Sequence, residues 1–254
     1  KTPGFSGADL QNLLNEAAIH AARNDKSTIS CVDLEKALEK AHFGLLSKPL
    51  SDSTKKRQIA YQIIGKTLVA LLIPSQDRLE KISLFKALGD ISGMTYFTPD
   101  EESIDSGLIT RNYIYNKIIV LLGSRAAETI IFGSNEVTQG SQKDLEDVYF
   151  WANKMVTKFG FSELGPIVYE SQNDSIFLGK SFLQNKKEYS QKTSNEIDKQ
   201  IISIAKKGNN HAIKLLSDKI PLMDILVDEL IEKETLEAEY IINTLNSFLS
   251  KINK

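Results

Sequence analysis

Cysteine and long apolar segments are scarce in this sequence, and several motifs are absent. A single cysteine, Cys31, excludes an internal disulfide framework and is typical of a reducing compartment. No apolar run approaches the roughly 18 residues that a membrane-spanning helix needs. No Gly-x-x-x-x-Gly-Lys-[Ser/Thr] sequence occurs, which excludes a P-loop for nucleotide phosphates from this stretch of chain. The formal net charge of -2 predicts no strong attraction to nucleic acid or to anionic membranes.

The residues that carry common catalytic chemistry are also sparse. The chain has 3 histidines, His20, His42 and His211, which lie far apart in sequence and are expected at the surface or in packing roles. There is no Cys-x-x-Cys pair and no Gly-x-Ser-x-Gly nucleophile motif. The sequence therefore gives no support to a thiol, serine or compact histidine-based site.

What remains is an ordinary globular composition with mainly helical periodicity. Apolar residues make up 41% and charged residues 25% of the 254 positions, which is enough for one large domain or two smaller ones. Helical spacing of apolar residues dominates, and two short segments alternate as strands do. We predict helices near 9–24, from 30 onward, 52–72, 110–132, 142–159, 188–217, 221–231 and 235–249, and strands at 79–85 and 94–97.

Turn and capping residues suggest where the chain divides. Ser6 and Asp9 have the spacing of a capping box that opens the first helix. The segment 47–51, Ser-Lys-Pro-Leu-Ser, is typical of a linker, and we place a domain boundary there. An acidic loop is expected near 99–106 and mixed, irregular structure near 165–184. The fold class is therefore mainly α with a small β ribbon.

Six segments of the sequence form recognisable motifs. They are Gly-Phe-Ser-Gly-Ala-Asp-Leu (4–10), Asn-Leu-Leu-Asn-Glu-Ala-Ala (12–18), Gly-Ser-Arg-Ala-Ala-Glu (123–128), Glu-Val-Thr-Gln-Gly-Ser-Gln-Lys-Asp-Leu (136–145), Met-Val-Thr-Lys-Phe-Gly (155–160) and Leu-Ile-Glu-Lys-Glu-Thr-Leu (230–236). Together these segments resemble the FtsH-type AAA+ zinc metalloprotease family. The resemblance covers nearly the whole chain, so chance is a poor explanation for it. In segment 136–145 the sequence departs from the family at Lys143, where the family has Asn.

The resemblance implies a two-part organisation. Residues 1–48 would be the C-terminal part of an AAA+ helical lid, and residues 49–254 a helical FtsH peptidase-like domain. Gly7 and Ala8 would lie near the nucleotide base in the full-length protein, which would bind ATP and Mg²⁺ through an upstream ATPase core. The chain opens at Lys1 without Met, so we expect it to be a fragment or a processed piece.

The segment 60–67, Ala-Tyr-Gln-Ile-Ile-Gly-Lys-Thr, departs from the family where its chemistry resides. In the family this helix carries His-Glu-x-x-His, in which two histidines bind zinc and the glutamate activates the bound water. The corresponding residues here are Gln62, Ile63 and Lys66, an amide, an aliphatic chain and an ammonium. The family's third zinc ligand corresponds to Asp144, although an aspartate in the first turn of a helix is also common because of the helix dipole. We therefore predict no catalytic residue and no zinc.

Three functional hypotheses follow. The first is a non-proteolytic FtsH-like subunit, a pseudoprotease of a membrane-anchored AAA+ complex that acts in membrane-protein quality control, remodelling or translocation. The alternative is an ATP-dependent zinc metallopeptidase, active through a displaced site or through active partner subunits. The third is an interaction module that works outside any ATPase.

The resemblance also implies partners and a location. Expected partners are FtsH-like subunits in a homo- or hetero-hexamer, and unfolded or membrane-protein polypeptides, but not nucleic acid. Segment 97–102, Phe-Thr-Pro-Asp-Glu-Glu, is most similar to cyanobacterial and plastid members. We expect this region in the plastid stroma, facing the thylakoid, or in the cyanobacterial cytoplasm, attached to a membrane through N-terminal segments outside this chain.

Two structural expectations concern the altered site. The groove should keep its shape, with the helix through Gly65 and the strand 79–85 as its walls and the strand's edge free to pair with an extended peptide. The Lys66 amine should lie within salt-bridge reach of Asp144, because a carboxylate left without its metal needs a counter-charge. The alternative is that Lys66 points to solvent.

Overall fold

The protein is mainly helical in its computed structural model, which describes residues 5–43, 53–74, 77–87, 90–98, 108–169 and 189–252. The predicted linker at 47–51, the acidic loop at 99–106 and most of the segment 165–184 lie outside the described residues. In chain order the elements are α1 (Gly7–Arg23), α2 (Cys31–Phe43), α3 (Thr54–Leu72), β1 (Arg78–Ala87), β2 (Asp90–Thr98), α4 (Arg111–Phe132), a 3₁₀ turn (Gln139–Ser141), α5 (Gln142–Thr157), α6 (Gln191–Leu216), a 3₁₀ turn (Ser217–Lys219), α7 (Ile220–Lys233), β3 (Thr235–Glu237) and α8 (Ala238–Ile252).

The first two helices form a small unit with its own apolar contacts. Leu13 and Ala17 of α1 pack against Ala37 of α2. The predicted capping box is confirmed, because the Ser6 hydroxyl accepts from the Asp9 backbone N–H and the Asp9 carboxylate accepts from the Ser6 backbone N–H. Within the described residues, none of the helices has both the length and the apolar character of a membrane-spanning segment.

A buried carboxylate ties α1 to α2. The Asp33 side chain accepts hydrogen bonds from the Ser30 hydroxyl and the Ser30 backbone N–H, from Lys26 Nζ at 3.0 Å, and contacts His20 Nδ1 at 2.8 Å. The pKa of Asp33 is held well below its usual range, first by the Ser30 hydroxyl, then by the Ser30 backbone N–H, with Lys26 and His20 adding to the effect. Each of these donors favours the charged form of the carboxylate.

The Asp33 contacts should make the helix pair sensitive to acid. Because the folded-state pKa of Asp33 is lowered, its stabilisation is complete above about pH 4, the unfolded pKa, and is lost as pH falls through the folded-state value. We expect Asp33→Asn to lower the hydrogen-exchange protection of peptides from α1 and α2 at neutral pH. Asp25→Asn, in the exposed turn between the helices, is the matched control. Equal loss of protection in both variants would contradict this role for Asp33.

The small sheet has three strands in the order β2-β1-β3, all antiparallel to their neighbours. Ile82 in β1 is opposite Thr95 of β2 on one side and Leu236 of β3 on the other. The prediction that the edge of strand 79–85 is free was therefore wrong, since β1 is the central strand. The edge strand that lies along α3 is β2, which contacts α3 through Gly93 against Ile63.

The third strand replaces the predicted start of the last helix. The sequence predicted helix from Thr235, but Thr235–Glu237 forms β3 and the helix begins at Ala238. Glu234, with φ of 59°, ends α7 and turns the chain, and its carbonyl accepts from the Leu84 backbone N–H at 2.7 Å. The buried Lys56 ammonium donates to the Ile231 carbonyl at 2.9 Å, which satisfies the C-terminal end of α7. This connection depends on distant residues, so local helix propensity does not reveal it.

The core is organised around a close crossing of α3 and α4. A Cβ at Gly65 would lie 2.3 Å from the Ala127 Cβ and 2.7 Å from the Gly123 carbonyl oxygen, and a Cβ at Gly123 would lie 2.9 Å from the Lys66 Cα. Only glycines allow the two backbones to approach so closely. Residues 60–70 of α3 are consequently buried almost throughout, with Lys66 as the partly exposed exception.

Substituting Gly65 should disrupt this crossing. Gly65→Ala would place a methyl group against the backbone of α4 at Gly123. We expect the free energy of unfolding to fall by about 1–3 kcal/mol, despite the higher helix propensity of Ala. Gly208→Ala is the matched control, because its Cβ would meet only side-chain atoms of α4, the nearest being Leu122 Cδ1 at 3.0 Å. Chemical denaturation of the full chain measures both, and equal stabilities for the two variants would contradict the account.

Candidate functional site

The candidate site lies on α3, where Gln62 and Lys66 are one helical turn apart on the same face. Gln62 is buried, and Lys66 retains about a fifth of its side-chain exposure, 21%. They face α4 and the segment that leads into α5, because the glycine crossing brings these elements together. Each makes a specific polar contact there.

Lys66 forms an ion pair with Asp144 in the first turn of α5. The Lys66 Nζ donates to Asp144 Oδ1 at 2.6 Å, and the side chains are 21% and 19% exposed. The second carboxylate oxygen, Oδ2, accepts from the Ser124 hydroxyl of α4 at 2.5 Å. The predicted Lys66–Asp144 contact is confirmed, and the alternative that Lys66 points to solvent is wrong. Both oxygens of the partly buried carboxylate are thus satisfied.

Gln62 belongs to a second, more deeply buried network. Its Nε2 donates to Glu128 Oε1 at 2.9 Å and to Thr138 Oγ1 at 3.0 Å. Glu128 is fully buried, and it also accepts from the Thr138 hydroxyl at 2.6 Å and the Ser141 hydroxyl at 3.3 Å. Arg125 of α4 donates to the Thr138 carbonyl at 3.2 Å. The network holds the segment before α5 against α4 and supplies the buried carboxylate with neutral donors.

Ile63 occupies the remaining position as a packing residue. It is 6% exposed, and a Cβ placed on Gly93 of β2 would lie 1.8 Å from its Cδ1. Its hydrocarbon therefore fills the space where β2 passes α3. Thr67 and Thr95 continue this contact, with their hydroxyl oxygens 3.5 Å apart. An aliphatic side chain here can neither take nor give a proton.

Comparison with known families identifies both parts of the chain. Residues 49–244 match the model of peptidase family M41, and residues 1–36 match that of the AAA+ lid domain. The chain belongs to peptidase family M41. The mainly α fold with a small sheet, following a lid, agrees with this membership.

Curated relatives of this M41 chain come from algae, cyanobacteria and plants. It is 41% identical over 239 residues to an ATP-dependent zinc metalloprotease FtsH of Cyanidium caldarium, covering 94% of the chain and 38% of the relative. It is 39% identical over 241 residues to the FtsH 3 protein of Synechocystis sp. and to the chloroplastic FTSH 5 protein of Arabidopsis thaliana, covering 39% and 34% of those relatives. The chain spans between about a third and two fifths of the length of these curated relatives.

The residues at the candidate site do not fit a zinc ion. Catalytic zinc is held by imidazole, carboxylate or thiolate groups, with a position left open for water. Here a single carboxylate, Asp144, faces an ammonium at 2.6 Å, and the amide nitrogen of Gln62 donates to Glu128 and Thr138. Among the described residues no group of three or more His, Cys, Asp and Glu side chains could hold a metal ion. A displaced zinc site is therefore not found in that part of the chain.

Sequence reasoning missed Ser124 and Glu128 as site residues. Both were in a recognised motif, but only small-residue packing was expected from it. They are four residues apart on α4, a helix that is otherwise largely apolar in its buried part. Two polar residues on one face of such a helix are the signal that could have found them, because buried polar groups require partners.

Gly7 and Ala8 occupy the first turn of α1 and are exposed. Their proximity to a nucleotide in the full-length protein stays a prediction. They belong to the α1–α2 unit rather than to the α3–α5 site.

The ion pair should be measurable by a double-mutant cycle. Since each side chain is about a fifth exposed, we expect Lys66→Met or Asp144→Asn to cost about 1–3 kcal/mol of unfolding free energy, between the ranges for exposed and buried pairs. The double variant should recover part of the loss. The matched control is the Lys199–Glu196 pair on α6, 69% and 42% exposed, which should couple by at most about 0.5 kcal/mol. A coupling for Lys66–Asp144 as small as that of the control would contradict a structural role.

Proposed function

We propose that this chain is the peptidase-like part of a non-proteolytic FtsH subunit. The observation that carries the proposal is the Lys66–Asp144 ion pair, in which an ammonium contacts the one carboxylate that remains from the family's ligand set. A zinc ion would have to displace this ammonium and would gain neither an imidazole nor a second carboxylate from α3. Without a metal-bound water and without a base at position 63, hydrolysis of a peptide has no nucleophile.

The retained fold supports a polypeptide partner that is bound but not cut. β2 is an edge strand of the described sheet and lies along α3, so an extended segment could add to the sheet next to the altered site. Backbone hydrogen bonds in such an arrangement depend little on sequence, which suits recognition of unfolded or membrane-protein polypeptides. Assembly with FtsH-like subunits into a hexameric ring, and ATP-driven work upstream, are part of the same proposal. The chloroplastic and cyanobacterial relatives support a plastid or cyanobacterial setting at a membrane.

The proposal predicts that the intact protein neither carries zinc nor degrades casein. The comparison is a triple variant with Gln62→His, Ile63→Glu and Lys66→His, which returns the imidazoles and the base. We expect the zinc content of the natural protein to be near background and that of the triple variant to approach one zinc ion per chain. Zinc content is measured by atomic emission after dialysis. Asp144→Asn in the triple-variant background is the control, since it removes the third ligand and should lower the zinc content.

Two results would overturn the proposal. One is stoichiometric zinc in the natural protein that is retained on dialysis. The other is casein degradation by the natural protein that a chelator stops. If either result were obtained, failure of the triple variant to degrade casein would not rescue the proposal, because both results are measured on the natural protein.

A further inference from the structure

A cavity of about 210 Å³ opens beside the altered site, between α3, β2 and α4. Its apolar walls are Phe97, Val120 and Leu121, and Lys66 is in its lining. A cavity of about 150 Å³ in another protein accommodates benzene, so this one has room for one apolar side chain. The M41 match and the relatives' names assign no ligand to it.

Lys66 contributes a cationic side chain to the lining of this cavity. An ammonium has three N–H donors, and the Asp144 contact uses one of them. The Lys66 side chain is 21% exposed and lines the cavity, so the ion pair does not close this side chain off completely. A positive hydrogen-bond donor beside apolar walls is suited to an anionic oxygen attached to an apolar body.

Lys117 lines the same cavity. Its ammonium is 3.6 Å from Asp77 Oδ2 and lies over the rings of Tyr113 and Trp151 at 5.5 and 5.4 Å. Asp77 also accepts from the Tyr113 hydroxyl at 3.0 Å. Each lysine therefore faces one carboxylate, Lys117 that of Asp77 and Lys66 that of Asp144. Only Asp77 is itself part of the lining, where it is engaged by Lys117 and Tyr113, so the lining offers a partly exposed lysine and no unengaged carboxylate to a ligand.

We infer that this cavity binds a carboxylate carried by a polypeptide, with the Lys66 ammonium as its main contact. The source is either the C-terminal carboxylate of a chain ending in an apolar residue or the side chain of an acidic residue. The inference deepens the proposed function: it rests on a polypeptide partner that is held next to β2 and not cut. No bond forms or breaks in this step, and the contact is a charge-assisted hydrogen bond.

Asp144 should oppose this binding. It shares the Lys66 ammonium, so a ligand carboxylate competes with it for the same charge. Asp144→Asn keeps an acceptor oxygen for Lys66 but removes the negative charge. Affinity for the ligand should therefore rise in Asp144→Asn and fall in Lys66→Gln. A purely structural role of the pair would instead weaken binding in both variants.

The test is fluorescence polarisation with labelled peptides and the full chain. The probes are an Ala-Ala-Phe peptide with a free C-terminal carboxylate, the same peptide with a C-terminal amide, and an amidated Ala-Glu-Phe peptide. We expect the free carboxylate to bind about tenfold more tightly than the amide, the size of one charge-assisted hydrogen bond. Lys66→Gln should abolish that difference, and Asp144→Asn should increase it several-fold. Lys143→Gln, exposed beside Asp144 on α5 and outside the cavity lining, is the control and should change nothing.

The three probes also separate the sources of the carboxylate. Tighter binding of the peptide with a free C-terminal carboxylate than of its amide supports the inference. Binding of the amidated Ala-Glu-Phe peptide that equals binding of the free-carboxylate peptide also supports it. The comparison identifies which carboxylate is used. Equal binding of all three peptides, or loss of affinity in Asp144→Asn with fully folded protein, would overturn it. Neither result alters the zinc measurement, so failure here is distinguishable from failure of the proposed function.

Discussion

The close crossing of α3 and α4 at Gly65 and Gly123 is the constraint on which the site depends. A helix pair separated by ordinary side chains has axes 8–10 Å apart, whereas here the absence of both Cβ atoms lets backbone meet backbone. At this crossing Gln62 of α3 contacts Glu128 of α4, and Lys66 of α3 and Ser124 of α4 both contact Asp144. The same crossing places α5 so that Asp144 faces Lys66. The polar contacts of the site therefore lie next to a crossing that two glycines permit.

The core has to satisfy two carboxylates that lie close to α3, those of Asp144 and Glu128. A partly buried carboxylate without a partner is costly, and the Asp144 carboxylate gains both an ammonium and a hydroxyl. Glu128 is fully buried and is supplied by an amide, two hydroxyls and a backbone N–H. Such networks are stable when every member has a partner and expensive when one is missing. Gln62 and Lys66 therefore each supply a donor to one of these two carboxylates.

Local patterns predicted the parts of this structure that depend on local spacing. The bounds of α3 and α4, the capping box at Ser6 and the Lys66–Asp144 pair all followed from residues one turn apart or from a family motif. The features that the sequence did not predict depend on contacts between residues far apart in the chain. β3 exists because Glu234 turns the chain back onto β1, and β1 is central for the same reason. The acidic partner of Gln62 was also missed, because a contact across 66 residues of sequence leaves no periodic trace.

The central claim is that the Lys66 ammonium takes the place of a metal against Asp144. The most direct measurement is anomalous diffraction at the zinc absorption edge from crystals of the protein grown with excess zinc. The account predicts no anomalous peak near Asp144 and a Lys66 Nζ to Asp144 distance that stays within hydrogen-bond length. A zinc peak bound to Asp144, with Lys66 swung away from it, would contradict the account.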